Sequence, residues 1–193
     1  MGKGNYFPSA GLIITLCLVV PPVFAATVPS TELASAAQWR SIGPYRGGRV
    51  TSVAGVAGQE NLYYMATAGG GVWQSDDYGN NWRNISDKDF GTGNIGAIAV
   101  APSNPEIIYV GTGDPAGRNT ILTGDGMYKS TDGGKSWTHI GLENTRIISW
   151  IIVDPKDANV VYVAAMGNMW ASNPERGVYK SEDGGATWKK VLF

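Results

Sequence analysis

Ser130-Thr131-Asp132-Gly133-Gly134-Lys135-Ser136-Trp137 spells Ser-x-Asp-x-Gly-x-x-Trp, and the same pattern occurs at two further places. One copy runs from Ser75 to Trp82 through Asp77 and Gly79, the other from Ser181 to Trp188 through Asp183 and Gly185. An aromatic residue and one spacer precede each serine, in Trp73-Gln74, Tyr128-Lys129 and Tyr179-Lys180. The copies lie roughly fifty residues apart, and self-similarity at a fixed period of this size marks a repeat architecture.

Every position in the pattern has a mechanical job. The Asp carboxylate can accept backbone N–H groups of its own turn, the Gly permits positive φ, and the Trp buries a large ring while keeping one N–H donor. Around each turn the same order of apolar runs recurs. The first repeat has Val50–Val56, Leu62–Thr67, Gly71–Ser75 and Trp82–Ile85; the second has Ile95–Val100, Ile107–Thr112, Gly126–Ser130 and Trp137–Ile140. The third has Ile148–Val153, Val160–Ala165, Gly177–Ser181 and Trp188–Leu192. Four short strands per period predict an all-β propeller with three four-stranded blades, over 49–86, 94–141 and 146–193. Prolines in the turns 101–105 and 154–159 are expected to end the innermost strands.

The N-terminus is of a different kind. Lys3, an apolar run from Gly11 to Val20 and the small residues Ala25 and Ala26 describe a secretory signal peptide over 1–25, too short in its apolar part to span a bilayer. The expected destination is secreted or periplasmic, with no membrane span after cleavage. The only cysteine, Cys17, falls in that segment, so disulfides, zinc thiolates and cysteine nucleophiles are excluded from the rest. Residues 26–38 read as a flexible lead. Trp39-Arg40-Ser41-Ile42-Gly43 then matches the segments that close the repeats and is expected to form an outermost strand latching a ring. Propellers close with roughly four to eight blades, so these three are expected to be the N-terminal part of a larger propeller. No basic run occurs and the acidic side chains are in slight excess, which argues against nucleic acid or an anionic membrane as partner.

The repeated turn resembles the Asp box of sialidases, of xyloglucan-cleaving endoglucanases and of sortilin ectodomains, and the resemblance covers 39–193. It implies that the boxes (Ser75, Asp77, Gly79, Trp82; Ser130, Asp132, Gly134, Trp137; Ser181, Asp183, Gly185, Trp188) staple the outer strands of each blade and lie away from the functional face. Ligand chemistry is then expected on the opposite face, built from the loops between second and third strands and from the links between blades.

That face offers Arg46, Arg49, Asp114, Arg118, Asn119, Asp125, Arg146, Trp170 and Arg176. Aromatic faces beside guanidinium and carboxylate groups suit a glycan or a peptide strand. Arg46, Arg49, Arg118, Asn119, Trp170 and Arg176 are the candidate ligand-binding residues, and Asp114 and Asp125 the candidate catalytic carboxylates. The structural alternative stands beside each: Asp114 and Asp125 flank glycines and can cap turns, the arginines can be inter-loop salt-bridge partners, and Trp170 can cover the core. No cofactor is required, although Asp114, Asn119 and Asp125 offer oxygen ligands of the kind calcium takes. The sole histidine, His139, falls on an outer strand and cannot complete a Ser-His-Asp triad.

In the xyloglucan-cleaving endoglucanases a first-blade segment of the type Arg-Thr-Asp-x-Gly-Gly-Ala-Tyr carries one of two catalytic carboxylates. The matching stretch here, Ala66 to Trp73, puts Ala68 at that position. Glycoside cleavage needs a carboxylate pair, so the leading expectation is a secreted, sortilin-like module that binds a peptide, protein or polysaccharide without catalysis. The alternative is a glycoside hydrolase relative acting on an extracellular polysaccharide, with catalytic carboxylates partly in further blades.

Overall fold

The computed structural model describes residues 48–117 and 119–193. The signal peptide, lead and latching strand expected over 1–43, together with Arg46 and Arg118, lie outside the described residues. Among the described residues twelve strands form three four-stranded antiparallel sheets, each in simple up-and-down order. The first holds β1 (Val50–Val56), β2 (Gln59–Thr67), β3 (Gly71–Ser75) and β4 (Arg83–Asn84). The second holds β5 (Ile95–Ala101), β6 (Asn104–Thr112), β7 (Met127–Ser130) and β8 (Thr138–His139). The third holds β9 (Ile148–Val153), β10 (Val161–Ala165), β11 (Gly177–Ser181) and β12 (Lys189–Leu192). A 3-10 turn, Glu143–Thr145, links the second sheet to the third. These are propeller blades, as the repeat pattern predicts.

The hydrophobic core lies between the blades rather than within one. Tyr64, Ala66 and Val72 of the first blade pack with Ile95, Ile98, Ile108 and Val110 of the second. Tyr109 and Met127, on the other side of the second sheet, pack with Ile148, Ile151, Val161 and Val163 of the third. Alternation along a strand explains this: Ile108 and Val110 point one way and Tyr109 the other. The middle blade is therefore buried on both faces, which is why β6 reads as a nearly continuous apolar run.

Two details depart from the predicted boundaries. The turn expected over 101–105 is tighter, because β5 continues to Ala101 and β6 begins at Asn104. Pro105 then falls inside β6, but at a register shift where its missing N–H breaks no ladder bond. The outermost strands are shorter than expected, since Trp82, Trp137 and Trp188 leave the sheet to serve the turn. Each inner strand also carries a one-residue irregularity at the same place, at Thr51, Gly96 and Ser149.

The box turns are built alike. In the second, Ser130 Oγ donates to Asp132 Oδ1 at 2.7 Å and accepts the Gly134 N–H at 2.8 Å. Asp132 in turn accepts the Ser136 N–H at 3.0 Å and the Ser136 hydroxyl at 2.6 Å. These donors, the Ser136 hydroxyl foremost, hold the Asp132 carboxyl down at about 2, and Thr187 does the same for Asp183, at about 2. Asn81 lowers Asp77 in the first turn. The turns sit beside the hairpins joining first and second strands: Tyr78, Gly133 and Gly184 donate their N–H groups to the carbonyls of Asn61, Glu106 and Asn159.

Candidate ligand-binding face

The opposite face is made by the connections β2–β3, β6–β7 and β10–β11 and by the links between blades. Arg49, just before β1, donates to the Asp114 carboxylate in the β6–β7 loop. Asp114 is fully buried, its second oxygen accepts the Ala116 N–H at 3.0 Å, and its own N–H donates to the Leu122 carbonyl at 2.8 Å. Both oxygens are thus engaged by protein donors. The pair ties the first blade to the loop of the second.

Asp125 belongs to a separate network. Its Oδ1 faces the Thr112 hydroxyl at 3.1 Å, and its Oδ2 accepts from the Tyr128 hydroxyl at 2.8 Å. That hydroxyl accepts the Gly91 N–H at 3.0 Å. Burial pushes the Tyr128 phenol up, the Gly91 N–H pulls it back, and Asp125 adds to the rise, so the phenol stays a donor near neutral pH. The Tyr128 ring stacks on Phe90 at 4.0 Å and meets His139 edge-on at 4.9 Å. His139 lies on β8 as expected and its Nε2 is 2.8 Å from the Asp125 carbonyl.

The two candidate carboxylates therefore act here as acceptors for fixed donors, each in its own network. Among the described residues no group of three or more His, Cys, Asp or Glu gathers where it could hold a metal ion. Ala68 is half-buried, donates its N–H to the Arg49 carbonyl at 3.0 Å and bridges to Asn94. Its methyl group has no acid or base chemistry to offer.

The rim is formed differently. Arg176 staples the β10–β11 loop by donating from Nε to the Met166 carbonyl at 2.9 Å and from Nη2 to the Asn168 carbonyl at 2.8 Å. The Trp170 N–H is held by Asn168 Oδ1 at 3.0 Å, while the side chain leaves this residue 77% exposed. Of the two roles open to it in the sequence, covering the core is excluded. Asn119 and Arg146 are also exposed, Arg146 with a positive φ of 59°. Among the described residues the face thus presents one exposed indole on a braced loop, with Asn119, Arg146 and Arg176 among its exposed polar residues. Nothing in the sequence marks Arg49 and Asp114, 65 residues apart, as partners. The exposure of Trp170 is equally invisible there, because a loop tryptophan fits either role.

The xyloglucanase Xgh74A of Acetivibrio thermocellus is 24% identical over 208 residues, covering 67% of this chain and 23% of that protein. A xyloglucanase of a Paenibacillus species is 25% identical over 158 residues, covering 75% of this chain and 14% of its own length. The crystal structure of an ancestral GH74 enzyme superposes with a TM-score of 0.63 at 28% identity, over 82% of this chain and 20% of the enzyme. This chain spans less than a quarter of the length of each of these relatives. A family model described as sortilin, neurotensin receptor 3, matches residues 70–192, well over half of the chain. Its repeat, its blades and this match agree, and the chain belongs to the Sortilin-Vps10 family.

Proposed function

We propose that this chain supplies three blades of a secreted propeller that acts on an extracellular polysaccharide of the xyloglucan type. In this reading the described residues hold the glycan and contribute no catalytic carboxylate. The observation that carries it is Trp170, a 77% exposed indole on a loop braced by Arg176. A sugar ring presents C–H groups on one face, and a flat exposed aromatic is the surface that takes them while neighbouring amide and guanidinium groups take the hydroxyls. The polysaccharide class is supported by the relatives, two of which are named xyloglucanases. Ala68, with Asp114 and Asp125 both engaged, supports binding over cleavage within these blades.

The test is affinity electrophoresis in gels containing xyloglucan, paired with a reducing-end assay. The reading expects retarded migration, no release of reducing ends, and loss of retardation in Trp170→Ala. Unretarded migration by the folded chain would refute it.

A second reading is a peptide-holding module, and membership of the Sortilin-Vps10 family favours it. An extended peptide would use the same rim, with Arg146 available to a carboxylate. Binding to peptide arrays that survives Trp170→Ala, with no xyloglucan retention, would select it.

A further inference from the structure

A cavity of about 580 Å³ lies between the first and second blades, beside the box turn and away from the ligand-binding face. Its wall joins β2, β3 and β4 of the first blade to the hairpin and box turn of the second. Leu62, Ile85 and Pro105 give it apolar surface, and Glu106 and Gly133 face them.

Between the second and third blades the equivalent space is filled from within. The repeat identifies each counterpart: Gln74 pairs across its sheet with Tyr64 as Lys129 does with Tyr109. Likewise the Glu106 carbonyl accepts the Gly133 N–H at 3.0 Å, as the Asn159 carbonyl accepts that of Gly184 at 3.0 Å. In the filled junction Lys129 Nζ donates to the Gly184 carbonyl at 3.1 Å. It is the atom nearest the place of a Gly184 Cβ, and Asn159 Oδ1 follows at 2.9 Å. Ala158, in the seven-residue turn between β9 and β10, is buried there and accepts the Tyr109 hydroxyl at 2.9 Å.

The first junction lacks both fillings. Its hairpin has only Pro102 and Ser103 between β5 and β6, so the Tyr64 hydroxyl turns to the Gly133 carbonyl at 3.2 Å. Gln74 is shorter than lysine, and its Nε2 stays 3.4 Å from that carbonyl while Arg83 holds its Oε1. The acceptor, by contrast, has gained charge. Glu106 Oε2 stands 3.0 Å from the place of a Gly133 Cβ, where the other junction has an amide oxygen. Its charge faces inward: burial raises the Tyr64 phenol, the Gln74 bond lowers it, and Glu106 raises it again. Among the described residues Glu106 has no ion pair. Lys88 and Lys135 also line the wall, but Asp87, Asp89 and Asp132 do too, so with Glu106 and Arg83 counted the carboxylates outnumber the cations.

We propose that this cavity binds a primary alkylammonium group, held by the Glu106 carboxylate and the Gly133 carbonyl with its methylene chain along Leu62, Ile85 and Pro105. The ligand takes the place that Lys129 takes one junction further on. An ammonium has three donors and no acceptor, which suits a carboxylate beside a carbonyl. The site is independent of Trp170 and of what the opposite face holds.

The test is calorimetric titration of the chain with 1,5-diaminopentane, with Nα-acetyl-lysine methylamide, and with pentanoate as the anionic control of similar length. At least one amine binds and pentanoate does not. Diaminopentane alone marks a free diamine as the source of the group, and the lysine amide marks a protein lysine. Glu106→Gln weakens binding about tenfold or more by removing a charged acceptor. Gln74→Lys abolishes it, because the new side chain fills the cavity as Lys129 does, and Trp170→Ala binds as the parent does. Circular dichroism confirms that each variant is folded. The proposal is overturned if neither amine binds, if pentanoate binds as well as the amines, or if either Glu106→Gln or Gln74→Lys binds as the parent does.

Discussion

The indole N–H of Trp137 donates to the carbonyl of Ile85 at 2.8 Å, fastening the end of one box turn to the closing strand of the preceding blade. Trp188 does the same to Ile140 at 2.7 Å, whereas Trp82 donates to Gly79 of its own turn at 3.0 Å. The same motif therefore contributes to an interblade junction twice and to a local turn once. Losing one such hydrogen bond costs about 1 kcal/mol. Trp137→Phe and Trp188→Phe are each expected to lower the melting temperature by about 2–4 °C. Trp82→Phe is expected to change it by less, and equal losses at all three positions in calorimetry would contradict the distinction.

Asp114 is fully buried against Arg49, so removing one partner strands the other. Arg49→Met leaves a buried carboxylate without its cation, at a cost of about 2–4 kcal/mol once the third-exposed arginine is discounted. The double substitution Arg49→Met with Asp114→Leu is expected to recover most of that loss, because neither charge remains to be desolvated. Chemical denaturation of both variants measures the difference. A double variant as unstable as the single would show that packing of the guanidinium, and not the charge, holds the loop.

How much of this was legible beforehand follows from sequence distance. The box turns could be read because the serine and aspartate bonds that fold them are local: Ser75 to Asp77, Asp77 to Asn81. The strands could be read from their alternation, and β6 from its unbroken apolar run. The partner of Asp114 could not, since Arg49 reaches it through the packing of one blade on the next. Nor could the different fates of Trp82 and Trp137, which hold the same position of the repeated pattern. The leading expectation of a sortilin-like binder gave weight to Ala68; the xyloglucanase relatives favour the polysaccharide alternative.

The box carboxylates predict an acid transition. Asp132 and Asp183 sit at about 2 when folded and near the ordinary carboxylate value of about 4 when unfolded. Their pKa is lowered by folding, so their contribution to stability is present above about pH 4 and is lost as the pH falls toward 2. Melting temperature is expected to be flat with respect to these groups from pH 7 to 5 and to drop between 4 and 2. Replacing Asp132 and Asp183 with Asn should flatten that limb while lowering stability at pH 7. An unchanged limb in the double variant would assign the acid transition to other groups.

Gly96 occupies the irregular position of β5, where the first and third blades carry Thr51 and Ser149. Thr51 uses its hydroxyl there to donate to the Ile95 carbonyl of the second blade at 2.7 Å. The second blade cannot do likewise, because the third lies too near: a Cβ at Gly96 would stand 2.1 Å from the Ile148 carbonyl oxygen and 2.3 Å from that of Gly113. Both obstacles are backbone, one in the neighbouring blade and one in the adjoining loop, so neither can swing aside as a side chain would. Gly96→Ala is expected to separate the second and third blades locally and to cost about 2–4 kcal/mol. Gly117→Ala, where a Cβ meets nothing within 4 Å, is the matched control and is expected to stay within about 0.5 kcal/mol of the parent. Urea denaturation of the two variants decides: a Gly96→Ala chain as stable as the control would mean that the inner strands of the two blades are not held this close.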